Sequence, residues 1–171
     1  MRVYIDSSAL LKRAFDEEGS AELEEHLARY ASMGAILASS SLAWIEVSRG
    51  IRRRSDAETP QLIAEISDDA LSGIAESPVT ASVIALARRI GPAVLRSLDA
   101  IHLATATLLD ADLVIGYDQR FLAVAGELGF RTESPGDHAV SDTSVTPVFT
   151  RGTGMRSDID PASHRTVLDT R

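Results

Sequence analysis

From residue 2 to about residue 133, short β-branched or aliphatic runs alternate with longer stretches of helical periodicity. Val3-Tyr4-Ile5 reads as a strand that stops at Asp6-Ser7-Ser8 and passes into a helix over residues 8–17. A second periodic stretch, Ala21 to Met33, leads to the apolar run Ala35-Ile36-Leu37-Ala38, a second strand. Serines 39 to 41 then offer N-caps for a helix carrying Leu42, Ile45, Val47 and Ile51. Pro60 opens the helix "PQLIAEISDDAL", and "IAESPVT" is an edge strand or extended turn, with Pro78 arguing against a central position. "ASVIALARRI" is an amphipathic helix ended by Gly91-Pro92, and Ser97 is placed to cap the next, "SLDAIHLATATLLDA". "DLVIGY" is a strand, "QRFLAVAGELG" a helix closed by Gly129, and "FRTE" a last strand.

Strands separated by helices predict an α/β protein whose mostly parallel sheet is covered by helices on both faces. With 171 residues the chain suits one well-buried domain, which the alternation puts at residues 1–133. Residues 134–171 are rich in Ser, Thr, Asp, Arg, Gly and Pro without apolar periodicity, and the expectation for them is a disordered tail.

Several chemistries are excluded by composition. There is no cysteine, hence no disulfide, thiolate zinc site or cysteine nucleophile. No apolar run approaches the roughly 20 residues of a membrane span, and a strand so near the start leaves no room for a secretory signal, so a cytoplasmic protein without membrane association is expected. The net charge of −8 argues against coating nucleic acid by bulk electrostatics, but it is compatible with an acidic site in which bound cations restore attraction for phosphate.

Asp6 falls at the C-terminal end of the first strand, where open α/β sheets bind ligands. Asp99 in the first turn of "SLDAIHLATA" and Asp118 after "DLVIGY" fall at comparable boundaries. Glu46 lies more than a turn into its helix, so that helix must lean across the sheet edge for its longer side chain to arrive. Asp6, Asp99 and Asp118 each read alone as a turn residue or helix-end acid, whereas the apolar residues at 42, 45 and 47 put Glu46 in a partly buried setting where an unpaired carboxylate is expensive; together the four read as a site. Converging carboxylates repel unless a cation compensates, and hard Mg²⁺ or Mn²⁺ prefers oxygen ligands while keeping positions open for water and phosphate. Such a site suits phosphodiester hydrolysis without a covalent intermediate.

The segments "VYIDSSALLK", "SLAWIEVSRGI", "LDAIHLATA" and "VIGYDQRFLAVAGELGF", in this order and spacing, resemble the PIN-domain family and, within it, the VapC-type toxins of toxin–antitoxin pairs. The resemblance implies a three-layer α/β/α sandwich, Mg²⁺- or Mn²⁺-dependent endoribonuclease activity on an RNA substrate, a homodimer, and inhibition by a small cognate antitoxin. It carries catalytic and metal-binding roles to Asp6, Glu46, Asp99 and Asp118, and a supporting role to Ser8. One departure is Gly116, where many members have Thr or Ser two residues before the last aspartate. His102 shares a helix face with Asp99; in the family it is common without being a ligand, and packing or hydrogen bonding is its expected role. Arg49 and Arg53, in the run "SRGIRRR", read equally as a solvated helix end or as RNA-phosphate contacts.

Two other readings come from different classes. A non-catalytic scaffold or binding module would keep the fold without the chemistry. A haloacid-dehalogenase-like phosphatase would need a second aspartate where Ser8 stands, and a downstream lysine, whereas Lys12 is the only lysine.

Overall fold

The computed structural model describes residues 1–54 and 59–137. Five strands, β1 (Arg2–Ile5), β2 (Ile36–Ser40), β3 (Ala75–Ser77), β4 (Leu113–Ile115) and β5 (Arg131–Glu133), form one sheet in the order β3-β2-β1-β4-β5. All four pairings are parallel, with Tyr4 opposite Ala38 on one side and Val114 on the other. The chain returns to opposite sides of β1, towards β2 and later towards β4. That reversal opens a crevice at the strands' C-terminal ends, and Asp6 follows β1 directly at that edge.

Helices α1 (Ser7–Arg13), α2 (Ser20–Ser32), α3 (Ser41–Arg54) and α4 (Pro60–Leu71) contribute to one core, and α6 (Ser97–Leu108) and α7 (Gln119–Glu127) to the other; α5 (Ala81–Ala87) packs on α6. Strand alternation sorts the two cores. Val3, Ile5, Leu113 and Ile115 meet Leu10, Leu23, Val47 and Ile51 on the first face, while Tyr4 and Val114 meet Leu103, Phe121 and Ala125 on the second. The central strands are therefore apolar on both faces, as a doubly covered parallel sheet requires. The edge strands β3 and β5 are three residues each and mostly exposed, which limits pairing with other chains. Among the described residues no helix is long and apolar enough to cross a membrane.

Local differences from the sequence reading have physical causes. The first helix ends at Arg13 although apolar periodicity continues through Phe15, which packs on the core from the turn leading to Gly19. Gly19 supplies the left-handed backbone (φ 81°) that starts α2. Ser39 and Ser40 end β2 and are buried; the Ser39 hydroxyl donates to the Ile5 carbonyl at 2.6 Å, and the Ser40 hydroxyl accepts the Leu42 amide at 3.3 Å. Ser97 is the first residue of α6, and the cap position belongs to Arg96, whose side chain makes no capping bond.

Residues 134–137 dock on the domain. The Ser134 hydroxyl donates to the Gly116 carbonyl (2.8 Å), Tyr117 donates to the Pro135 carbonyl (2.6 Å), and Gly136 lies against Gly19 so closely that a Cβ on it would stand 2.5 Å from the Gly19 Cα. The remainder of the expected disordered tail, from residue 138, lies outside the described residues.

Candidate active site

Asp6 is the N-cap of α1, and its position follows from β1 ending where extended backbone gives way to helix. Its Oδ2 accepts the Ser8 amide at 3.0 Å and the Ser8 hydroxyl at 2.5 Å, and the same hydroxyl oxygen accepts the Tyr117 amide at 2.8 Å. Ser8 thus ties the loop after β1 to the loop after β4. A Cβ at Gly116 would stand 3.1 Å from the Asp6 Cβ and 3.4 Å from the Ser8 hydroxyl, so the glycine leaves room for this pair.

Asp118 caps α7 in the same manner, its Oδ1 accepting the Arg120 and Phe121 amides at 2.9 and 3.2 Å. Its Oδ2 faces the Arg96 guanidinium at 3.8 Å. Asp99, in the first turn of α6, has no hydrogen-bond or ion-pair partner among the described residues. Burial raises its pKa first, and the charges of Asp118 and Asp6 raise it further, against the pull of Arg96 and His102.

Glu46 reaches the site from the second turn of α3. Its Oε2 accepts from His102 Nε2 at 2.7 Å, and the His102 Nδ1 is 2.6 Å from the Tyr4 hydroxyl. Burial alone would raise the Glu46 pKa, but the hydrogen bond and charge of His102, with help from the Ser7 hydroxyl, hold it below the ordinary range. Burial would conversely lower the His102 pKa, and the bond to Glu46 with the charges of Asp6, Glu46 and Asp99 raises it instead.

Asp6, Glu46, Asp99 and Asp118 all line one cavity of about 570 Å³, together with Ser8, His102, Arg49, Arg53 and Arg96. Among the described residues no three acidic or imidazole side chains close on a common point as they stand. The donor set nonetheless suits a hard dication: four carboxylates and no sulfur ligand border the cavity, and burial, with the charges of Asp118 and Asp6, raises the pKa of Asp99. Arg49 and Arg53 also border, with Arg52, a shallower depression of about 250 Å³.

Arg96, Ser7 and Tyr4 were not singled out by sequence reasoning. Arg96 stands at the N-cap of α6, three residues before Asp99, and Ser7 lies directly beside Asp6. Tyr4 had no signal, since strand alternation says which face it takes but not what its hydroxyl meets.

The raised Asp99 pKa has a consequence for stability without metal. A native carboxyl that holds its proton more tightly than the unfolded one costs nothing well below the unfolded pKa. The cost grows as pH rises and is complete above the folded value. In the presence of chelator, Asp99→Asn is therefore expected to raise Tm at pH 7, with the gain shrinking towards acid; thermal melts of both proteins across pH check this. An equal or lower Tm for the variant at pH 7 would mean that burial of the Asp99 charge beside Asp118 and Asp6 does not limit the stability of the metal-free protein.

Comparison with known proteins places this fold in a family. The PIN domain family model matches residues 3–127. Ribonuclease VapC47 of Mycobacterium tuberculosis (strain CDC 1551 / Oshkosh) is 38% identical over 136 residues, covering 78% of this chain and 97% of that protein. Ribonuclease VapC46 of Mycobacterium tuberculosis (strain ATCC 25618 / H37Rv) is 35% identical over 135 residues, with the same coverage. Among solved structures, VapBC2 from Rickettsia felis bound to a DNA fragment from its promoter superposes with a TM-score of 0.61 at 13% identity, over 78% of this chain and 98% of that one. Mycobacterium tuberculosis VapC20, a sarcin-ricin loop cleaving toxin, gives 0.57 at 16% identity, over 75% and 95%. The sheet order, the acids at its C-terminal edge and these matches together identify the chain as a member of the PIN-domain family, among its VapC-type proteins.

Proposed function

We propose that this protein is a divalent-metal-dependent endoribonuclease, the toxin half of a toxin–antitoxin pair, acting in the cytoplasm as a homodimer held in check by a small cognate antitoxin. The observation that carries the reading is the gathering of Asp6, Glu46, Asp99 and Asp118 around one cavity at the sheet's C-terminal edge. The two curated relatives, both named as ribonucleases, support the reaction class.

In this reading the four acids hold Mg²⁺ or Mn²⁺, and Ser8 keeps Asp6 in place. When bound, the ion supplies charge neutralisation at the reacting phosphate and lowers the pKa of the attacking water. Arg49 and Arg53 on α3, and Arg96 at the start of α6, all border the cavity and would hold backbone phosphates of the RNA.

Incubating the purified chain with end-labelled RNA and Mg²⁺ or Mn²⁺ tests the reaction. Cleavage that EDTA stops and either ion restores is expected. Intact RNA in both ions would favour a scaffold, and release of phosphate from small phosphomonoesters would favour a phosphatase.

The arginines make a separate prediction. Arg53→Ala and Arg96→Ala are each expected to weaken RNA binding and to flatten its dependence on log salt by a slope of about 0.7, the share of one single-strand phosphate contact. Binding measured by fluorescence anisotropy from low to high salt checks this; an unchanged slope returns that arginine to a solvated surface role.

A further inference from the structure

We infer that His102 and Tyr4 are positioning residues that set the direction in which the Glu46 carboxylate faces the cavity; the inference rests on the functional reading above. Glu46 is the acid least favoured by its place in the chain, because the other three lie at element boundaries while it stands on the second turn of α3. A glutamate there has three rotatable bonds, and nothing in α3 itself dictates its orientation.

The orientation comes from a chain of hydrogen bonds through three other elements. The Ser40 amide, at the end of β2, donates to the Tyr4 hydroxyl on β1 at 3.2 Å; that hydroxyl is 2.6 Å from His102 Nδ1 on α6, and His102 Nε2 is 2.7 Å from Glu46 Oε2. Tyr4 is fully buried and His102 is 2% exposed. The imidazole stands edge-on to Tyr4 and Phe121, with ring centroids 6.0 and 6.3 Å away, so packing fixes the ring plane as well as its ends.

The direction of the last bond does not depend on the protonation of the ring. An ionised Glu46 can only accept, so Nε2 carries a hydrogen whether the imidazole is neutral or charged. Only the Tyr4 bond reverses: the hydroxyl donates to a neutral ring and accepts from a charged one. Both ring nitrogens are thus committed, which leaves His102 no lone pair for a metal although it borders the cavity. Its part is the one that outer partners play at metal sites, orienting a ligand rather than supplying one.

The test uses the full chain as wild type, Tyr4→Phe, His102→Leu, His102→Gln and Asp6→Asn, each checked for folding by circular dichroism. Two quantities are measured: Mn²⁺ affinity by calorimetry, and kcat and KM on an RNA that the wild type cleaves. Tyr4→Phe and His102→Leu are expected to weaken Mn²⁺ binding by ~10–100-fold and to lower kcat with KM for RNA unchanged. His102→Gln, which keeps an N–H donor at that end, is expected to recover part of both. Tyr4→Phe removes a single oxygen and keeps the test usable if His102→Leu does not fold. Wild-type Mn²⁺ affinity and kcat in Tyr4→Phe and His102→Leu, with binding abolished in Asp6→Asn, would overturn the positioning role while leaving the metal site intact. A wild-type protein that binds no Mn²⁺ would overturn both.

Discussion

Asp6→Asn is expected to lower the rate of RNA cleavage by ~10²-fold or more while leaving the fold unchanged, an effect of the size seen when one preorganised electrostatic group is removed from a reacting centre. The substitution keeps the side chain's shape and its capping oxygen, so the Ser8 amide and hydroxyl still have an acceptor. What it removes is one of the four negative charges around the cavity, which is what a dication needs from this position. Single-turnover cleavage of end-labelled RNA, with circular dichroism and melting curves on the same preparations, checks it. Activity within a few-fold of wild type in a folded variant would make Asp6 an ordinary helix cap.

The second large effect is on stability. Phe121→Ala is expected to cost about 3–5 kcal/mol, the range for emptying a buried aromatic position. At 2–4 °C per kcal/mol for a chain of this size, Tm would fall on the order of 10 °C. Phe121 is buried at the start of α7, in the core that Tyr4, Leu103, Ala106 and Val114 share, and its ring stands edge-on to His102. The same residue lines the cavity, so its loss is expected to weaken metal binding as well. Thermal and urea unfolding of wild type and variant measure the difference. A loss below about 1 kcal/mol would mean that the helices on this face relax to fill the space.

Much of this was legible in the sequence because it depends on neighbours in the chain. Asp6 and Asp118 follow apolar strands and precede helices, and both prove to be N-caps at the crevice. Asp99 in the first turn of "SLDAIHLATA" is equally local. The strands were readable from their apolar runs, and Pro78 correctly kept "IAESPVT" away from the centre of the sheet, since β3 is an edge strand.

What was not legible depends on distant residues. Glu46 is held by His102, which lies 56 positions away, and His102 by Tyr4, which lies 98 away; no spacing rule connects a strand tyrosine to a helix glutamate through an imidazole. Ser97 resembled a cap because serine favours that position, yet α6 begins one residue earlier and puts Arg96 there, directed at Asp118. Ser39 and Ser40 were readable as caps, and Ser40 does cap α3 by accepting the Leu42 amide; what the sequence did not show is that β2 extends through both serines, paired with β3, and places the Ser40 amide on Tyr4.

Mn²⁺ binding by isothermal calorimetry, on the wild type beside folded Asp6→Asn and Asp99→Asn variants, is the most direct test that the acids form one site. It requires no knowledge of the RNA target. Saturable binding to the wild type that both substitutions abolish is the expected result, since the two residues lie on different elements and share only the cavity. No binding, or binding indifferent to both changes, would contradict a shared metal site and leave Asp6 a helix cap and Asp99 a first-turn acid on a PIN-like scaffold.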